Sequence, residues 1–368
     1  MDNSKLADEW LYYNPVHVIA GVGTFSKLDQ FVPHTGTILL VTTPGFTQRG
    51  LTGNIHAQLG KNRVLVYDQI VPNPNLDDLD LATIQLRQES IHCIIALGGG
   101  SVIDAAKVLA VTLPSSMANP LDHVLRSCLD YVWKNRIPVF AIPTTSGTGA
   151  EVTPFATVWD NTAHKKYSVT GDFVYPTHAL LDPMLTLTLP RRGTLYPALD
   201  AISHALESLW NKNRTPISEI YAIRALTLAQ EALPILLENS QNLKQRTKMQ
   251  WASLLAGLAI SQTRTAIGHS ISYPLTSHFG VPHGLACSFM LPTILNKHIE
   301  NLVEDVLNRR LLENVASLLD SLNLKEELSQ YVSKDQIESV MGEMFTKERA
   351  NNFAYSYEKN DLLRALVS

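Results

Sequence analysis

A chain of 368 residues is longer than one ordinary core requires and suggests two domains. Its 45% hydrophobic and 17% charged residues suit a soluble globular enzyme, and a net charge of −4 gives no general reason for a nucleic acid or anionic membrane as partner. Cys93, Cys128 and Cys287 make no even framework or metal-type pair, so a reducing cytoplasm is expected. The opening MDNSKLADEW has neither signal nor transit character, and no apolar run nears the roughly 18 residues that cross a bilayer.

Short β-branched runs bounded by Gly, Pro or polar turns predict strands over 16–20, 37–43, 63–68, 93–97 and 139–143, with two more around 156–159 and 179–182. Helical apolar spacing over 76–89 and 105–113 separates them, an alternation that predicts a parallel sheet covered by helices on both faces. From Leu195 onward helical periods dominate: 198–210, 217–238, 243–260, 303–322, 326–332 and 334–344. The expected division is an α/β dinucleotide-binding domain over 1–186 and a helical metal-binding domain over 187–368. The tail from Asn351 carries no assignment.

Two glycine-rich turns end predicted strands. The first is Gly98-Gly99-Gly100-Ser101 within IIALGGGSVIDAAK; glycines let a backbone approach a diphosphate, and first-turn N–H groups attract its charge. Ser101 is expected to cap the following helix, with Asp104 completing a capping box. The turn is not the G-x-G-x-x-G fingerprint. The second is Pro143-Thr-Thr-Ser-Gly-Thr-Gly149, whose hydroxyls offer small donors to phosphate or ribose. One such loop is common in any α/β protein; two at strand carboxyl ends point to a nucleotide crevice.

In the helical half, Asp200 and His204 lie four apart and share a helix face. His269 and His283 flank Pro274, Gly280 and Pro282, a spacing that a helix–loop–helix folds back on itself. The flanks YPALDAISHALESL are apolar, so burying Asp200 and His204 without a partner is costly, and a cation supplies one. One carboxylate and three imidazoles suit a first-row divalent ion open to substrate.

Taken in order from Tyr13 to about residue 300, these motifs resemble the iron-containing (group III) alcohol dehydrogenases. The resemblance implies a Rossmann-like α/β domain followed by an all-α domain, the dehydroquinate synthase-like fold. It implies NADP or NAD, and Fe²⁺ or Zn²⁺ held by Asp200, His204, His269 and His283. Gly98, Gly99, Gly100 and Ser101 then match the diphosphate loop; Thr144, Thr145, Ser146, Thr153 and Phe155 match positions lining the cofactor; Lys166 matches a lysine against the nicotinamide ribose. A homodimer is the family expectation.

Two positions depart from the family pattern. Tyr273 stands where many members carry a further histidine, and is read as a hydrogen-bonding partner of ribose. Thr43, after the second strand, stands where NAD-specific relatives carry a carboxylate, so NADPH is expected to be accepted. The segment from Ile260 to Gly280 resembles the phosphonoacetaldehyde reductase (hydroxyethylphosphonate dehydrogenase) subgroup. Arg264, read as lying in an apolar helix near His269, is the expected partner of an anionic aldehyde. The competing readings are a general short-chain alcohol or polyol dehydrogenase, a dehydroquinate-synthase-like lyase and a non-catalytic nucleotide-binding protein.

Overall fold

The computed structural model describes residues 9–60, 63–300, 302 and 306–355. Contacts divide the chain into two compact units. One comprises Pro15–Thr145 and Ala150–Leu187; the other comprises the described residues from Thr188 onward, with Ser146–Gly149 and the described residues before Pro15.

Among the described residues the α/β unit holds eight strands: β1 (His17–Ala20), β2 (Thr37–Val41), β3 (Arg63–Tyr67), β4 (Ile91–Gly98), β5 (Val139–Pro143), β6 (Phe155–Asp160), β7 (Lys165–Thr170) and β8 (His178–Leu181). Six of them form one parallel sheet in the order β1-β8-β5-β4-β2-β3. Its helices are α1 (Pro44–Gln48), α2 (Leu51–Leu59), α3 (Leu76–Leu86) and α4 (Gly100–Thr112). Alternate side chains of the central strands enter separate cores. Leu39, Val41, Ile94, Ala96, Val139 and Ala141 pack with α3 and α4; Ile38, Leu40, Cys93, Ile95, Phe140 and Ile142 pack with Ile55 and Leu59 of α2. Burial on both faces is why these strands read as continuous apolar runs. Strand order reverses between β2 and β4, which sets a crevice beyond their carboxyl ends, the usual ligand position in open α/β sheets.

The run around 156–159, expected as a strand of this half, does not join the sheet. Instead β6 pairs antiparallel with β7, a strand absent from the sequence expectations. The Asp160 carboxylate builds the turn by accepting from the N–H groups of Thr162 (3.1 Å) and Ala163 (3.0 Å).

The other unit is helical: α5 (Arg191–Leu209), α6 (Pro216–Glu238), α7 (Leu243–Thr263), α8 (Ile267–Phe279), α9 (His283–Ser288), α10 (Leu291–Glu300), α11 (Val306–Ser321), α12 (Leu324–Ser329), α13 (Lys334–Val340) and α14 (Lys347–Ala350). Caps set several starts: Thr215 and Ser218 form a capping box on α6, and Asn242 accepts from the Gln245 N–H on α7. α5 begins seven residues before the expected Ala198 because Pro197 sits inside it without ending it. The start expected at Val303 and the tail beyond Tyr355 lie outside the described residues. α6 corrects the statement about apolar runs: by length and composition it is a candidate span, with an 18-residue window of mean hydropathy 1.4. Here it packs on α5 and α7, with Ala222, Leu226, Ala229 and Leu233 fully buried.

Together the two units are a Rossmann-like parallel sheet and an all-helical partner.

Candidate metal centre and cofactor loops

α5 carries Asp200, His204 and Glu207 at i, i+4 and i+7, one stripe on one face, all buried. α8 carries His269 in its first turn. Gly280, at φ 65°, ends α8, and Val281-Pro282 turns the chain so that His283 opens α9. α9 lies so close to α5 that a Cβ on Gly284 would fall 1.9 Å from the Tyr196 carbonyl oxygen. Glycine at that position is what permits the approach.

These helices bring Asp200, His204, His269 and His283 together. Asp200 Oδ1 lies 3.5 Å from His204 Nε2, 3.5 Å from His269 Nε2 and 3.9 Å from His283 Nε2. The two nearer ring nitrogens are 3.1 Å apart, and their rings stack at 4.8 Å. Asp200 Oδ1 accepts no hydrogen bond among the described residues, although it is buried. A buried carboxylate oxygen without a partner, ringed by three imidazole nitrogens, is costly unless a cation completes it. The donor set thus fits a divalent first-row metal. Burial opposes ionisation of Asp200, but the facing His204, His269 and His283 hold its carboxyl below the usual range. Burial pushes His204 down to about 4, so the ring is neutral near pH 7 and its lone pair is available to a metal.

Glu207 orients one of these rings. Its carboxylate accepts from the Nδ1 of His269 (3.1 Å), from the His269 backbone N–H (2.9 Å) and from the Ala266 N–H. With the proton on Nδ1, the Nε2 lone pair of His269 points at the centre. Burial works against the charge on Glu207, yet the His269 ring and these two N–H groups hold its pKa below the ordinary carboxylate value. Sequence reasoning missed Glu207, although its position three residues after His204 on the same face was a readable signal. Cys287 was also set aside; its sulfur lies 3.6 Å from both ring nitrogens of His283.

In the α/β unit, Gly98 pairs with Pro143 in register, so the two glycine-rich loops leave the sheet side by side. The Thr144 N–H donates to the Gly98 carbonyl at 3.0 Å, and a Cβ on Gly99 would meet Thr145 Oγ1 at 3.2 Å. The capping expectation fails. Gly99 is the N-cap of α4 and Gly100 its first residue, so Ser101 falls inside the first turn. Ser101 Oγ instead accepts from the Asn73 N–H (3.3 Å), and Asp104 accepts from the Thr157 N–H (2.9 Å). Gly99 is extended at the cap, and among the described residues no side chain caps α4.

Lys107, quoted with the first loop but given no role, is fully buried. Its Nζ donates to Thr153 Oγ1 (3.0 Å) and to the Phe155 carbonyl (2.8 Å), with Asp104 at 3.7 Å. It thereby fixes two positions matched to the cofactor lining. Burial lowers the Lys107 ammonium to about 8 and raises nearby Glu151 to about 7. Thr43 is the N-cap of α1 beyond β2, and Lys166 on β7 sits over the Trp159 ring at 5.5 Å.

Ser146 groups with the helical unit rather than with Thr144 and Thr145. Gly147 and Gly149 explain it: added Cβ atoms would lie 2.4 Å from the Pro197 carbonyl oxygen and 2.4 Å from Gly257 Cα. Arg264 is a further correction. It is not inside an apolar helix but is the exposed C-cap of α7, at φ 63°. Tyr273 lies one turn after His269 on α8, and its Oη accepts from Arg349 Nε at 3.1 Å.

Family models agree with this arrangement. Residues 15–183 match the model described as iron-containing alcohol dehydrogenase, and residues 194–363 match its Fe-containing C-terminal model. Long-chain-alcohol dehydrogenase 1 of Geobacillus thermodenitrificans is 31% identical over 334 residues, covering 86% of this chain and 83% of that relative. The chain belongs to the iron-containing alcohol dehydrogenase family. It is therefore a nicotinamide- and metal-dependent oxidoreductase. Phosphonoacetaldehyde reductase of Streptomyces viridochromogenes is 37% identical over 242 residues, 65% of this chain and 61% of that protein. The solved sulfoacetaldehyde reductase of Bifidobacterium kashiwanohense, in complex with NAD⁺, has a TM-score of 0.88 at 25% identity and covers 98% of this chain and 99% of its own.

Proposed function

We propose that this enzyme reduces a small anionic aldehyde with NADPH or NADH, using Asp200, His204, His269 and His283 as metal ligands. The observation that carries the proposal is Asp200 Oδ1, buried without a hydrogen-bond partner among the described residues and facing three imidazole nitrogens. When bound, the metal supplies Lewis acidity toward the substrate oxygen as hydride moves between nicotinamide and carbon. Asp200 offsets part of the ion's charge, the three neutral rings leave a net positive centre, and Glu207 keeps His269 in the binding tautomer. First-turn N–H groups of α4 suit the cofactor diphosphate, with the Thr144–Thr145 loop beside them. Tyr273 is the proposed hydrogen-bonding partner of ribose and of the water that carries the proton, its oxygen held by Arg349. Thr43 stands where NAD-specific relatives are expected to carry a carboxylate, and its lack of charge supports use of NADPH.

The anionic substrate rests on two relatives named for phosphonoacetaldehyde and sulfoacetaldehyde reduction. Metal-loaded enzyme should reduce such aldehydes with kcat/KM at least about tenfold above a neutral aldehyde of equal length, a difference of roughly 1.4 kcal/mol. Assays with NADH and NADPH in parallel test both choices; equal rates on neutral aldehydes overturn the substrate class, and a strong NADH preference overturns the reading of Thr43. Arg264→Leu should raise KM for the anionic aldehyde about ten- to a hundredfold, the worth of a charge-assisted pair, and leave the neutral one near wild type. Equal effects on both remove Arg264 from the site.

A further inference from the structure

Cys93 and Cys287 are both buried thiols, but their surroundings differ. Cys93 belongs to an apolar cluster with Ile38, Leu40 and Ile95, the setting of a thiol that only packs. Cys287, 1% exposed, is not among the residues of the helical unit's apolar cluster. It stands one turn after His283 on α9, so both side chains share a face. Its Sγ lies 3.6 Å from His283 Nδ1 and 3.6 Å from His283 Nε2. The donor atoms of Asp200, His269, His283 and Cys287, a set without His204, all lie within 4.8 Å of one another, while His204 joins through its 3.5 Å approach to Asp200 Oδ1. A second, independent sign of a ligand is Asp200 Oδ1 itself, buried and without a hydrogen-bond partner among the described residues.

From this geometry we infer that the Cys287 sulfur is a fifth protein donor to the metal held by Asp200, His204, His269 and His283. The inference rests on the metal reading given above and adds a ligand to it. Sulfur binds as thiolate: the S–H bond breaks, the proton leaves to solvent as the cation enters, and no electrons are transferred. Asp200 and the thiolate together then balance a dication that Asp200 alone leaves positive. A soft donor also biases the site toward Zn²⁺ or Co²⁺ and away from Mg²⁺ or Mn²⁺.

The probe is Co²⁺ added to chelator-treated full-length protein and read by absorption spectroscopy. Wild type and Cys128→Ser should show visible d–d bands together with an intense near-ultraviolet sulfur-to-cobalt charge-transfer band. Cys287→Ser and Cys287→Ala should keep the d–d bands and lose the charge-transfer band. Visible bands in wild type without charge transfer, or charge transfer that survives in the Cys287 variants, overturns the sulfur ligand and leaves the four-residue centre standing. Absence of d–d bands in every protein removes the centre and the sulfur together. Should both Cys287 variants fail to fold, a charge-transfer band retained by Cys93→Ser and Cys128→Ser still assigns it to Cys287, and its loss in either one overturns the assignment.

Discussion

Glu207 acts through another side chain, which makes its removal informative. Glu207→Gln preserves shape but weakens the anchor on the His269 Nδ1 proton, and metal affinity should fall about ten- to a hundredfold in chelator competition. An unchanged affinity would show that Glu207 serves packing alone. Glu151 offers a test away from the metal ligands. Burial raises its carboxyl from 4.5 to about 7, against the pull of Lys107. Between those values the folded chain binds more protons than the unfolded one. The resulting stabilisation is fully present below about pH 4.5 and is lost as pH rises through about 7, on the order of 3 kcal/mol in all. Denaturant titrations of Glu151→Gln should lose that slope; an unaltered pH profile would contradict it.

At the scale of elements, the centre depends on how closely α9 approaches α5. Gly284→Ala puts a methyl against the Tyr196 carbonyl, where neither backbone has room to yield cheaply. A loss of about 1–3 kcal/mol is expected, with bound metal falling by more than stability does because His283 moves with α9; a variant with wild-type metal content would show that α9 relaxes freely. Much of this architecture was legible. The runs of β2, β4 and β5 are apolar on both faces, and only a sheet covered twice makes them so. The Asp200–His204 pair needed only helical period. What escaped notice was fixed by tertiary contact rather than local pattern. β7, KKYSVT, is polar and among the described residues pairs with β6 alone; Ser101 falls inside the first turn because α4 starts at Gly100; Arg264 is the C-cap of α7, at a left-handed backbone angle. Cys287 was invisible as a ligand because its relation to Asp200 and His269 exists only once α5, α8 and α9 have packed.

For the molecule as a whole, the four proposed ligands all lie in the helical unit, so metal removal should be felt unevenly. Chelation should lower hydrogen-exchange protection in α5, α8 and α9 and leave β2, β4 and β5 nearly unchanged; uniform loss would mean that the units open as one. Metal at about a hundred times its dissociation constant contributes roughly 2.7 kcal/mol, or about 5–11 °C in Tm at the per-kcal shift of large domains. The same spacing bears on how the enzyme is made. His283 follows Asp200 by about eighty residues, with α6 and α7 in between. A ribosome adding about 5–20 residues per second delivers the last imidazole some 4–16 seconds after the carboxylate. During that interval the nascent chain holds only a partial, weak claim on any ion. Selection of the metal therefore falls to the finished chain, and the free-ion pool where folding ends becomes part of what decides which enzyme is made.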